Sequence, residues 1–203
     1  MIKAIVFDLG GVLFREGKSI AATKLQEKYK YEPKIIFKVL TSPKSVELRK
    51  GLISDEEFWS WVQKQLPKGY SASLIKKEWY DGYIVDRDIF DLLKKLRSKK
   101  KYELIIFSSN IKSRIEYLER KYHFRKFFHQ EIYSYEHGLN KPDREFVELL
   151  INGSGFKPEE LAYIDDLKEP LKSAKELGIF ALIYEPGKIQ ELEHKLIKLG
   201  VDL

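Results

Sequence analysis

Ile2-Lys3-Ala4-Ile5-Val6-Phe7 runs directly into Asp8-Leu9-Gly10-Gly11-Val12. The first six residues are almost continuously apolar, the pattern of a strand covered on both faces. A carboxylate and two glycines follow where such a strand would end. The glycines let the backbone approach a ligand closely, and amides in such a turn can meet phosphate oxygens. Taken alone, Asp8 is an ordinary turn-capping acid.

Four further runs share the first one's character, at 102–107, 131–134, 161–164 and 179–184. Helical apolar spacing separates them. In 88–96, Ile89, Leu92, Leu93 and Leu96 fall on one face, and 114–122, 144–151 and 170–177 behave alike. Such alternation predicts an α/β fold with a doubly wound, parallel, Rossmann-like sheet. Residues 16–84 interrupt it with helical patterns at 20–31, 33–40, 54–65 and 72–81, and with the capping box Ser54–Glu57. We read this stretch as an inserted helical cap domain, with 1–15 and 85–203 forming the core domain. All three tryptophans, Trp59, Trp61 and Trp79, fall in the insertion, where packing is their expected role. Residues 188–203 read as a terminal helix.

Each later strand delivers a reactive group. Ser109-Asn110 follows the second run, with a hydroxyl and an amide able to face an oxyanion. Lys141 precedes Pro142 in a loop. Asp165-Asp166 follows the fourth run, and a divalent cation would relieve the repulsion between these neighbouring carboxylates. Singly, these are a turn, a solvated lysine and an acidic loop. Arriving in order, one per strand end, they point to a single site, because ligands of open parallel sheets bind beyond the carboxyl ends of the strands.

Composition bounds the rest. The 203 residues carry 37 Lys and Arg against 31 Asp and Glu, a net charge of +6 spread along the chain, which suits solubility. No apolar run reaches the ~20 residues of a membrane span, and the apolar N-terminus lacks the layout of a signal peptide. There is no Cys, which excludes disulfides and thiolate metal sites. A cytoplasmic protein, monomer or homodimer, with no membrane and no nucleic-acid partner is expected. The mixed basic and aromatic stretch 120–129 reads as a helix end packed on the sheet, and His123 and His129 have no partner at metal spacing.

The order of these motifs resembles the haloacid dehalogenase-like hydrolase superfamily over nearly the whole chain. The resemblance implies that Asp8 is a nucleophile and that Lys141 is its catalytic partner. It implies Mg2+ held by Asp8, the Gly10 carbonyl, Asp165 and Asp166. Substrate would be bound by Gly10, Gly11, Ser109, Asn110 and Lys141. Arg49-Lys50-Gly51-Leu52-Ile53-Ser54-Asp55-Glu56-Glu57-Phe58 looks like a cap segment of the subgroup with Asp-Leu-Gly in its first motif, which adds Arg49 to the substrate contacts. That subgroup includes bacterial alpha-D-glucose-1-phosphatase, and it is similar to the N-terminal phosphatase domain of soluble epoxide hydrolase. A magnesium-dependent phosphatase of a small phosphorylated metabolite is therefore expected, acting through an aspartyl-phosphate. The alternatives are a metal-free 2-haloacid dehalogenase using Asp8, which the acid pair disfavours, and a non-catalytic binding module. Two positions depart from the family pattern. Gly10 stands where most such phosphatases have a second Asp as general acid and base, and Pro170 where an Asn is common.

Overall fold

The computed structural model describes all 203 residues. Five strands form one parallel sheet: β1 (Ala4–Phe7), β2 (Glu103–Ser108), β3 (Gln130–Tyr133), β4 (Leu161–Asp165) and β5 (Phe180–Ile183). Each lies within two residues of its expected bounds. Their order is β3-β2-β1-β4-β5, so β1 is central. The chain steps outward from β1 to β3, then crosses back to place β4 on the other side of β1. The direction of winding reverses between β1 and β4, where sheets of this kind open a crevice.

Between β1 and the rest lie α1 (Gly17–Tyr29), α2 (Pro33–Leu40), α3 (Pro43–Arg49), α4 (Asp55–Gln65) and α5 (Ala72–Asp81). After them come α6 (Arg87–Lys99), α7 (Lys112–Tyr122), α8 (Ser134–His137), α9 (Arg144–Ser154), α10 (Lys168–Glu176) and α11 (Ile189–Lys198). Helix α3 is not visible in the apolar spacing. Its signal is local: Ser42 Oγ accepts from Ser45 N at 3.3 Å, and Pro43 occupies the first turn, where its missing N–H does no harm. Helix α11 stops short of the expected end because Gly200, at φ 82°, turns the chain back, and Val201 N reaches Leu196 O at 3.0 Å.

The period of two in the strands sorts their side chains between two cores. Ala4 and Val6, with Ile105, Phe107, Leu161 and Tyr163, face one cluster, which includes residues of α9 and α10. Ile5 and Phe7, with Leu104, Ile106, Ala162 and Ile164, face the other. This second cluster continues without a break through Phe14, Leu25, Phe58 and Trp79, so the inserted helices share their core with the sheet. Each such side chain contributes about 1.5–3 kcal/mol by leaving water. That continuity holds the inserted helices over the carboxyl edge of β1. Trp59 and Trp79 are buried within it, as their expected packing role requires.

Candidate active site

Strand register brings the acids together. Phe7 pairs with Ile164, and Asp8 N continues the ladder onto Ile164 O at 3.0 Å. Asp8 therefore leaves the sheet beside Asp165 and Asp166. Carboxylate oxygens of all three lie within 4.8 Å of one another. Gly11 makes that approach possible. It sits at φ +87°, and a Cβ there would lie 2.1 Å from the Asp166 carboxyl carbon.

Lys141 enters this cluster from the loop between α8 and α9. Its side chain is 7% exposed, so it is not a solvated loop lysine. Nζ donates to Asp8 Oδ1 at 2.9 Å, Asp165 Oδ2 at 2.6 Å and the Tyr163 hydroxyl at 3.0 Å, which uses all three of its protons. Tyr163 in turn donates to Asp165 Oδ2. The Lys141 amide donates to Ser109 Oγ at 2.8 Å, which fixes the loop to the end of β2.

These contacts set the ionisation. Burial pushes the Asp8 carboxyl up; Lys141 opposes this, the Asp165 charge adds to it, and the result stays above the ordinary range. Burial alone would lower Lys141, but Asp165 and Asp8 outweigh it and hold the ammonium more firmly. Asp166 is pushed up to about 7 by burial and then by Asp8 and Asp165. Its Oδ1 is buried and has no hydrogen-bond partner. Three crowded carboxylates, one with an orphaned oxygen, and a single ammonium are a donor set suited to a hard divalent cation. The residues present therefore fit magnesium.

Asp8, Gly10, Ser109, Asn110, Lys141, Asp166 and Arg49 all line one cavity of about 390 Å³. Asp165 lies behind it, fully buried, with Oδ1 accepting from Leu167 N at 2.8 Å. Gly11 also stands outside the lining and acts through backbone shape. Asn110 also braces the wall: its Oδ1 accepts from Ile111 N and Arg114 Nε, both at 2.9 Å, and its Nδ2 donates to Ser108 Oγ at 3.3 Å, which uses one of its two amide protons. Pro170 falls in the first turn of α10, so it removes no helical hydrogen bond.

Sequence reading missed Tyr163, Glu16, Lys18, Tyr83, Arg114 and Asn140, of which all but Tyr163 line the cavity. Tyr163 was within reach, since it precedes Asp165 by two in a strand and must share its face. The others come from helix starts and loops, where no periodicity marks what they face.

Residues 2–178 match the family model of haloacid dehalogenase-like hydrolases. An uncharacterized protein of Dictyostelium discoideum is 39% identical, covering 98% of this chain and 97% of its own. A D-ribitol-5-phosphate phosphatase of Bacteroides thetaiotaomicron is 26% identical over 92% of this chain and 94% of its own. A haloacid dehalogenase family enzyme from the same bacterium, solved in complex with magnesium and inorganic phosphate, superposes with a TM-score of 0.74 at 26% identity, covering 93% of this chain and 96% of that one. The chain belongs to the haloacid dehalogenase-like hydrolase family and is an enzyme of that fold. No helix is long and apolar enough to cross a membrane.

Proposed function

We propose that this haloacid dehalogenase-like hydrolase is a magnesium-dependent phosphatase of a small phosphate monoester, with Asp8 as nucleophile. The observation that carries the reading is the trio Asp8, Asp165 and Asp166 within 4.8 Å, with Lys141 bridging the first two. The phosphatase relative and the neighbour bound to magnesium and phosphate support it.

Asp8, the Gly10 carbonyl and Asp166 would hold the metal, with Asp165 supporting them. Bound there, magnesium would offset the repulsion between the substrate phosphate and Asp8. The Asp8 carboxylate attacks phosphorus, a bond forms from carboxylate oxygen to phosphorus, and the ester oxygen leaves with the bonding pair. Water then attacks the same phosphorus, releasing inorganic phosphate and restoring the carboxylate. All three protons of Lys141 are already engaged, so its work is to orient Asp8 and keep it ionised. The Ser109 hydroxyl accepts from Lys141 N and keeps its own proton free for a phosphate oxygen.

The departing oxygen needs a proton, and Gly10 offers none. The nearest side chain to a Cβ at Gly10 is Tyr83, with Cε1 at 3.5 Å and its hydroxyl at 3.9 Å. Burial pushes that phenol up to about 12, with Arg114 opposing, so it is a weak proton donor near neutral pH. Solvent water supplies the proton, and good leaving groups are favoured.

The test is phosphate release from a panel of phosphomonoesters, with magnesium and with EDTA, in the native protein and Asp8→Asn. Turnover that needs both the metal and Asp8 is the expected result. Turnover indifferent to either would overturn the reading.

A further inference from the structure

The cavity that holds Asp8 and Asp166 also carries positive charge that the hydrolysis does not use. Arg114, in the first turn of α7, lines the cavity although only 2% exposed. Its Nε donates to Asn110 Oδ1, and its guanidinium lies over the rings of Trp79 and Tyr83 at 4.7 and 4.3 Å. Its Nη1 is buried with no partner. Leaving such a donor unpaired is costly. Lys18, in the first turn of α1, and Arg49, at the end of α3, line the same wall.

Only one carboxylate answers these cations. Glu16 already accepts from Lys18 N at 3.0 Å and from the Tyr83 hydroxyl at 3.3 Å, and Lys18 Nζ stands 3.7 Å away. The wall is rigidly built. A Cβ at Gly17 would lie 2.4 Å from Tyr83 Cδ2 and 2.7 Å from Trp79 O, so α1 starts hard against the end of α5.

The three cations of this wall also act on one another. Lys18 is lowered by burial, with Glu16 opposing and Arg49 and Arg114 assisting; Arg49 is lowered by burial and then by Arg114. A neutral group would leave the repulsion among the three cations in place, whereas an anion offsets it.

We propose that this wall is a subsite for a second anionic group, a carboxylate or a further phosphoryl group, carried on the leaving portion of the substrate and held by Arg114, Lys18 and Arg49. The proposal rests on the phosphatase reading above. A cavity of about 390 Å³ has room for a phosphate joined to a short acidic chain.

The experiment compares 2-phosphoglycolate and ethane-1,2-diyl bisphosphate with 2-hydroxyethyl phosphate, in magnesium. In the native protein kcat/KM should favour one or both of the doubly anionic esters by on the order of tenfold or more, as charge-assisted bonds to a buried guanidinium allow. Which of the two gains identifies the second group as carboxylate or phosphoryl. Lys18→Gln and Arg114→Gln should each lower that ratio. A ratio taken within one preparation is indifferent to how much of it is folded, and Lys18 is more exposed than Arg114, so its replacement is the milder change. A native ratio near one, or a ratio unchanged in both variants, overturns the subsite. Calorimetric binding of the same esters to Asp8→Asn separates the two readings. Tighter binding of a doubly anionic ester, with no turnover by the native protein, retains the subsite and removes the phosphatase. Equal binding of all three removes the subsite and leaves the phosphatase to its own test.

Discussion

The two ends of the cavity are opposites in charge and in origin. At the sheet end, Asp8, Asp165 and Asp166 crowd around Lys141, and each acid leaves the carboxyl end of a strand. At the helical end, Lys18, Arg49 and Arg114 face Glu16, and they come from one helix start, one helix end and one first turn. The first end has an excess of negative charge and suits a metal cation; the second has an excess of positive charge. The difference separates two jobs. Strand ends in a hydrogen-bonded sheet hold the reacting groups, whereas the packed helix termini would meet whatever portion of a substrate lies beyond them.

The sharpest way to break this division is at its reactive centre. Asp8→Asn should abolish turnover, by roughly 10⁴-fold or more as for other lost nucleophiles, measured as phosphate release in magnesium. Retained turnover would mean that the sheet end is not where the chemistry happens. Lys141→Ala is next. It leaves Asp8 and Asp165 buried without their cation, so about 3–5 kcal/mol of stability should go, together with most activity. Urea unfolding reads the first effect. A loss under 1 kcal/mol would show that the acids do not depend on that lysine.

Gly10→Asp sharpens the comparison instead. The site has ordinary contact room for a Cβ, 3.5 Å from Tyr83 Cε1, and no positive φ. A restored general acid is worth about 10²- to 10⁴-fold, so alkyl phosphates should gain more than aryl phosphates. An equal gain, or none, would mean that protonation of the leaving group is already provided.

The smallest effect concerns pH without metal. The Asp166 carboxyl is raised to about 7 in the folded chain, first by burial and then by Asp8 and Asp165. The folded state therefore holds more protons than the unfolded one between the ordinary carboxylate range and about 7, and stability falls as pH rises through that window. Thermal unfolding in EDTA should show a lower Tm at pH 8 than at pH 5. Saturating magnesium, or Asp166→Asn, should flatten the slope. A Tm that rises with pH in EDTA would contradict the acid cluster.

Legibility follows the same division. The three central strands β1, β2 and β4 could be read because burial on both faces leaves a nearly unbroken apolar signature such as Ile2 to Phe7, and the edge strands β3 and β5 carry shorter apolar runs although they are less buried. Asp8, Ser109 and Asp165-Asp166 could be read because topology sends residues at strand ends to one edge. Lys141 could be named but not its burial, since nothing local tells a buried loop lysine from a solvated one. Lys18 and Arg114 carried no signal, because a basic residue in a first turn is ordinary wherever it points.

The order of polar residues after apolar strands, fixed by covalent sequence and a period of two, determined the parallel sheet and the acid, hydroxyl and lysine at its edge. Only the folded chain decided that the inserted helices share the sheet's core, and that Gly17 lets α1 close on α5. Those are contacts between segments far apart in sequence, and no local pattern encodes which distant surfaces meet. They alone bring Glu16, Lys18, Arg49 and Arg114 into one cavity with Asp8.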